Sequence, residues 1–352
     1  MPIIGTGKSA LFYYKLNTSV YVEHLRNGEK MTAAIIISGI VVLFVLGQYA
    51  RPRLNAKAPE SLVPENLSPD ELERWVNSKE DAVLDLTPGA EACIHWANPD
   101  DPGKTDLSFL YIHGFSATRQ ETAPVTDLIA AEFDANSFHA RLEGHGVGSE
   151  GMLMVSETWL QSVIDAWAVA ARLGNKVVIV ATSTGAPLAI WLAEQALTKN
   201  RIHAFLFMSP NFKIRNRFAF LLTWPWAKYW VRRVLGKEIS WEPENEMAAK
   251  YWTSTYSTLS VIEMQKVVDW LSKVDFSRQQ IPLATMYMKN DSTIDPKAAV
   301  AGHHRWGSKR KQLIQVPIDG DNEEHVFVGD ITAPHRIDWC VNEFTQFLKS
   351  LN

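Results

Sequence analysis

Residues 176–192 read KVVIVATSTGAPLAIWL, and few folds accommodate such a run. Val177, Val178, Ile179 and Val180 form an unbroken β-branched stretch, suited to a strand buried on both faces. Ala181-Thr182-Ser183-Thr184-Gly185 follows at once, and Ala186 to Ala196 has helical spacing. Strand, tight turn of small residues holding a serine, then helix: this order lifts a hydroxyl clear of a sheet's end as a nucleophile. The turn strains the backbone at Ser183, so the positions two before and two after must be small. Ala181 and Gly185 are. The first N–H groups of the helix would then face an oxyanion forming beside the hydroxyl. The plainer reading has Ser183 or Thr182 merely capping a helix.

The flanking chain keeps the rhythm of a parallel sheet. Strands are expected at 93–97, 107–112, 137–141, 204–208, 283–288 and 312–316. Helices are expected between them at 120–133 and 159–173, and a closing helix at 336–348. Alternation of this kind predicts an α/β fold with a doubly wound, mostly parallel sheet, whose ligands bind at the carboxyl ends of the strands. His113 and Ser183 both fall there. Residues 211–275 break the rhythm with Phe212, Phe218, Phe220, Trp224, Trp226, Tyr229, Trp230, Trp241, Tyr251, Trp252, Tyr256 and Trp270. An inserted helical cap reads this way, its aromatics serving as core, as an acyl pocket, or as both. His113, Trp224 and Trp226 are placed on the substrate side, with His113 expected also to brace its own loop.

Ahead of the sheet, residues 32–50 (TAAIIISGIVVLFVLGQYA) carry no charge and are long enough for a transmembrane helix. The expected order is an N-terminal segment 1–31, the span 32–50, a linker 51–70 rich in Pro and Asn, and the α/β domain 71–352. A cleaved signal is the competing reading, but Gln48 stands where a small residue should precede a cleavage site. Lys8, Lys15, Arg26 and Lys30 precede the span and Arg51, Arg53 and Lys57 follow it, so charge does not fix its orientation. A start at Met31 would leave all of that charge after the span and favour a cytoplasmic domain. Ser68-Pro69-Asp70-Glu71 begins a helix over 71–83.

The net charge of −4 argues against a nucleic-acid partner. The two cysteines, Cys93 and Cys340, show no metal or redox spacing and read as packed thiols. No metal or organic cofactor is implied.

A serine is a weak nucleophile at neutral pH and needs a base, which in turn needs an orienting carboxylate. In the chain order Ser, acid, His, each falls in a loop after a strand. Asp291 lies just past the strand at 283–288, and His325 lies in the loop after the last strand. Asp295 is the rival acid, although the Pro296 beside it suits a helix cap better. His303, His304 and His335 are weaker candidates for the base. The oxyanion hole needs two backbone N–H donors: Thr184, directly after the serine, and Phe115, in the loop after His113-Gly114. The glycine-rich loop Gly144-His145-Gly146-Val147-Gly148 lacks the Lys-Ser/Thr pair of a phosphate loop.

The motifs HGFSATRQE (113–121), ARLEGHG (140–146), ATSTGA (181–186), MKND (288–291) and EEHVF (323–327) together resemble the α/β-hydrolase superfamily. Within it they resemble the monoacylglycerol lipase and carboxylesterase branch, of the serine aminopeptidase S33 type. The resemblance covers roughly residues 90–350 and implies Ser183 as nucleophile, Asp291 as acid, His325 as base, and Phe115 and Thr184 as oxyanion donors. It implies cleavage of carboxylic esters, monoacylglycerol-like or other acyl esters, with thioesterase or aminopeptidase activity, or a non-catalytic binding role, as alternatives. Ala181 stands where relatives have the first Gly, and Leu142-Glu143 where they have Leu-Pro.

Overall fold

The computed structural model describes residues 8–198, 200–318 and 325–351, in two units, 1–51 and 52–352. Among its described residues the first unit holds one helix, α1 (Lys8–Tyr49), 42 residues long and begun well before the apolar run. Its stretch Glu29–Tyr49 has a mean hydropathy of 2.3 and is long and apolar enough to cross a membrane. Ile35, Ile37 and Phe44 are exposed on it.

The second unit opens with residues 52–67, where the sequence predicts a linker. They lie instead as an extended strap along the α/β domain. The strap makes no ladder of its own, so side chains of the domain pair its backbone. Trp191 Nε1 donates to Ala56 O at 3.0 Å, Asp165 Oδ1 accepts from Leu62 N at 2.7 Å, and Val63 is buried. Helix α2 (Pro69–Asp81) follows, started by a capping box in which Ser68 and Glu71 each accept from the other's backbone N–H.

The strands are β1 (Cys93–His95), β2 (Thr105–Ile112), β3 (Asn136–His139), β4 (Gly174–Thr182) and β5 (Ile202–Met208). After them come β6 (Glu238–Ser240), β7 (Thr255–Ser257), β8 (Leu283–Tyr287) and β9 (Lys311–Gln315). Seven make one sheet, in the order β1-β3-β2-β4-β5-β8-β9, parallel throughout except for β1 against β3. β4 sits at the centre. Val177 to Val180 are fully buried between β2 and β5, each contributing roughly 1.5–3 kcal/mol.

Helices α3 (Val125–Ala131), α4 (Gly148–Gly151), α5 (Ser156–Leu173) and α6 (Gly185–Ala193) belong to the first half of the domain. One helix was expected over 120–133. The structure has a short 3-10 turn (Arg119–Glu121) and then α3, because Pro124 between them has no N–H with which to continue a helix.

The chain between β5 and β8 builds the cap: α7 (Ala227–Val234), α8 (Glu246–Tyr251), the antiparallel β6–β7 pair and α9 (Thr258–Leu271). The small hairpin was not foreseen. α9 joins the cap to the core through Val261, Met264, Val267 and Leu271. Helices α10 (Pro296–Arg305) and α11 (Ile337–Lys349) complete the domain, with Cys340 buried in α11. Both cysteines are free thiols.

Candidate active site

At the carboxyl end of β4 the chain turns into α6 through Ser183, whose φ is 50°. An L-residue is held in that left-handed region only where its surroundings fix it. Ser183 N donates to Met208 O at 3.0 Å, and Ser183 O accepts from Asn211 N at 3.0 Å. Gly185 permits the close approach of α6 to β2, since a Cβ there would lie 2.2 Å from Ile112 O. Ala181 is fully buried, its methyl accommodated within the core.

Ser183 Oγ lies 2.8 Å from His325 Nε2, and His325 Nδ1 lies 2.7 Å from Asp291 Oδ2. Asp291 is fully buried, and its Oδ1 accepts from Thr293 N at 2.8 Å and Ile294 N at 2.9 Å. Arg215 donates through Nη1 to the Asp291 carbonyl from the cap side. Three residues, 108 and 34 positions apart in the sequence, thus meet in one hydrogen-bonded chain. Glu323 and Glu324, from the motif around His325, lie outside the described residues.

Asp295 is elsewhere: it caps α10 by accepting from Lys297 N at 3.0 Å and pairs with Lys213. His303 is buried against Thr285. Among the described residues, the N–H groups of Phe115 and Thr184 donate to no protein acceptor. The loop that carries Phe115 lies against the serine, since a Cβ on Gly114 would stand 3.1 Å from Ser183 Cβ.

The three residues expected on the substrate side do not come together. His113 is fully buried; its Nδ1 donates to Gly114 O at 2.8 Å and its Nε2 accepts from Leu142 N at 3.0 Å. Burial holds it neutral, pushed down to about 4. With both nitrogens taken by backbone, it braces two loops. Trp224 and Trp226 stand on the cap surface, 47% and 39% exposed. The aromatic rings packed around Phe115 are instead Tyr256, at a centroid distance of 5.2 Å, Trp159 and His145.

Sequence reasoning passed over two further groups. Asn211 supports the elbow through its backbone and donates from Nδ2 to Thr184 Oγ1 at 3.2 Å. Glu121 is buried behind Gly114, where its Oε1 accepts from Tyr111 Oη at 2.7 Å and Gly114 N at 2.6 Å. Loss of water pushes its carboxyl up to about 7. Asn211 carries no signal in a single sequence, and Glu121, though it closes the motif at 113–121, gives no sign there of its burial.

No protein-family model matches the chain, and no curated protein matches it in sequence. Solved structures do match in fold. LipS and LipT, metagenome-derived lipolytic enzymes, are represented by a structure at TM-score 0.56 and 16% identity, over 75% of this chain and 99% of that one. The fold is the α/β-hydrolase fold. The Paleococcus ferrophilus monoacylglycerol lipase follows at TM-score 0.54 and 16% identity, over 74% of this chain and 98% of that one. A soluble variant of the Saccharomyces cerevisiae monoglyceride lipase, in complex with a substrate analogue, matches at TM-score 0.52 and 13% identity, over 74% and 92%. In this α/β-hydrolase fold the elbow, the late acid and the late histidine occupy the carboxyl edge of the sheet, and the insertion between β5 and β8 carries the cap.

Proposed function

We propose that the protein is a membrane-tethered serine hydrolase that cleaves carboxylic esters, with monoacylglycerol-like or other acyl esters as substrates. The observation that carries this reading is the unbroken hydrogen-bonded chain from Ser183 through His325 to Asp291 at a strained turn. His325 Nε2 takes the proton of Ser183 Oγ as the oxygen attacks the ester carbonyl. The carbonyl oxygen becomes an oxyanion and meets the unpaired N–H groups of Phe115 and Thr184. His325 then passes its proton to the leaving alcohol, which departs and leaves Ser183 acylated. A water, deprotonated by the same histidine, attacks the acyl carbon; the acid leaves and the proton returns to Ser183. Asp291 Oδ2 holds the Nδ1–H of His325 throughout and stabilises the imidazolium.

The fold shared with the lipases and monoglyceride lipases supports acyl esters over other carbonyl substrates. The apolar stretch of α1 supports a single-pass N-terminal anchor. The test is labelling by a fluorophosphonate and hydrolysis of a p-nitrophenyl ester series by the full chain, wild type beside Ser183→Ala. Labelling and turnover that vanish together in the variant are expected. Turnover that survives in a folded Ser183→Ala protein defeats the reading.

A further inference from the structure

A second cluster of imidazoles lies at the antiparallel edge of the sheet. β1 and β3 pair with Cys93 opposite His139 and His95 opposite Ser137. Opposed residues share a face, as do residues two apart on one strand, so these four side chains stand together. Helix α3 brings Asp127 onto the same face. Its Oδ1 lies 2.9 Å from His95 Nδ1, 2.7 Å from His139 Nε2 and 2.7 Å from Ser137 Oγ. One carboxylate oxygen offers about two lone-pair directions. Three donors nevertheless converge on Oδ1, while among the described residues none reaches Oδ2. Two imidazole nitrogens and a carboxylate oxygen, from three separate elements, all fall within 4.8 Å of one another.

We infer that His95, Asp127 and His139 form a binding site for a divalent transition-metal ion of the zinc type. Two imidazoles and one carboxylate are a donor set such an ion takes, with a fourth position left for water. An ion about 2.0–2.1 Å from each donor sets them roughly 3.3 Å apart, so loading lengthens the two carboxylate–imidazole distances by about half an ångström. The mobile member is His95, whose side chain is 46% exposed on a strand of three residues; that of His139 is 4% exposed and fixed. Ser137 then serves from outside the coordination sphere, donating to Asp127. Cys93 Sγ lies 3.4 Å from the other nitrogen of His95, Nε2, and so outside the sphere as His95 stands. Among the described residues, His139 Nδ1 has no partner, and a ligating imidazole without that brace binds about 10–100-fold more weakly. The ion is therefore removable by a chelator. Its structural effect is to clip a short edge strand to β3 and α3.

The competing account is a hydrogen-bonded cluster that binds no ion. The test uses the full chain in detergent, stripped with a chelator and titrated with zinc(II) alone, read by calorimetry and by the melting temperature. One equivalent bound and a raised melting temperature are expected for the wild type, and neither for His95→Ala or Asp127→Asn. Should His95→Ala melt without cooperativity, His95→Gln replaces it. Wild-type protein that binds no zinc overturns the site, as does a folded His95 variant that keeps the same equivalent at the same affinity.

Discussion

Ser183 and Trp226 hold the same left-handed backbone, at φ 50° and 58°, in opposite surroundings. Ser183 is 6% exposed; β5, Asn211 and the packing of Gly185 on β2 all fix its turn. Trp226 opens α7 without a side-chain cap, its ring 39% exposed; Phe220, Trp224 and Tyr229 of the same segment are exposed as well. Conformations of this kind cost roughly 1–3 kcal/mol and persist where the surroundings over-determine them. At the elbow that cost aims a hydroxyl at a histidine. On the cap it holds an aromatic ring at the surface, 39% exposed. Under the proposed function, chemistry is fixed by the sheet, and the cap's exposed aromatics act on what approaches it.

The largest effect expected on the sheet side is that of Ser183→Ala. It should lower ester turnover by on the order of 10⁴–10⁶-fold with an unchanged circular dichroism spectrum. The two acids then separate position from role. Asp291→Asn removes the carboxylate that orients His325 and should cost about 10⁴-fold in kcat. Asp295→Asn keeps an N-cap acceptor and loses only an exposed ion pair, so stability falls by less than about 1 kcal/mol and kcat changes less than threefold. Equal losses in kcat would detach the triad geometry from catalysis.

Much of the elbow was legible because its determinants are local. The β-branched run at 177–180, the small residues at 181 and 185 and the following helix lie within seventeen consecutive positions. The order of Asp291 and His325 was legible too, since each follows a strand with its own period. The strap at 52–67 was not. Its Pro and Asn read as a tether, and only the tertiary partners Trp191 and Asp165 show what its backbone pairs with. The exposure of the cap aromatics was not legible for a similar reason: helical spacing tells which residues share a face, not which face turns inward. Likewise His95, Asp127 and His139 are 32 and 12 residues apart, and only the β1–β3 register and the packing of α3 on that edge bring them together.

Glu121 offers a test of intermediate size behind the elbow. Its carboxyl is raised from 4.5 to about 7 by burial, so between those pH values the folded state holds a proton that the unfolded state has lost. Stability contributed by this group is therefore full below pH 4.5 and falls as pH rises toward 7. The loss is on the order of 3 kcal/mol. Glu121→Gln keeps an acceptor for Gly114 N and cannot ionise. The melting temperature of the variant relative to wild type should climb across that pH window and level off above it. A constant difference would mean that Glu121 ionises in the folded protein as it does in water.

The smallest effect on stability, and the sharpest on the comparison, is expected from Trp226→Gly. Glycine adopts φ 58° without steric cost, while the ring that is lost is more than half covered. Relief of the backbone strain and loss of the covered part of the ring oppose each other, so the melting temperature should stay within an amount worth about 1 kcal/mol of wild type. Turnover of a short, dissolved ester should stay within twofold of wild type, because nothing at Ser183, His325 or Asp291 is touched. Turnover of a long-chain ester presented in vesicles should fall several-fold if the exposed ring helps to collect apolar substrate. A clear loss of stability would show that the ring packs in solution. Equal turnover on both substrates would leave the strained tryptophan without a role in presenting acyl chains, and the elbow as the only left-handed turn of the two that serves the reaction.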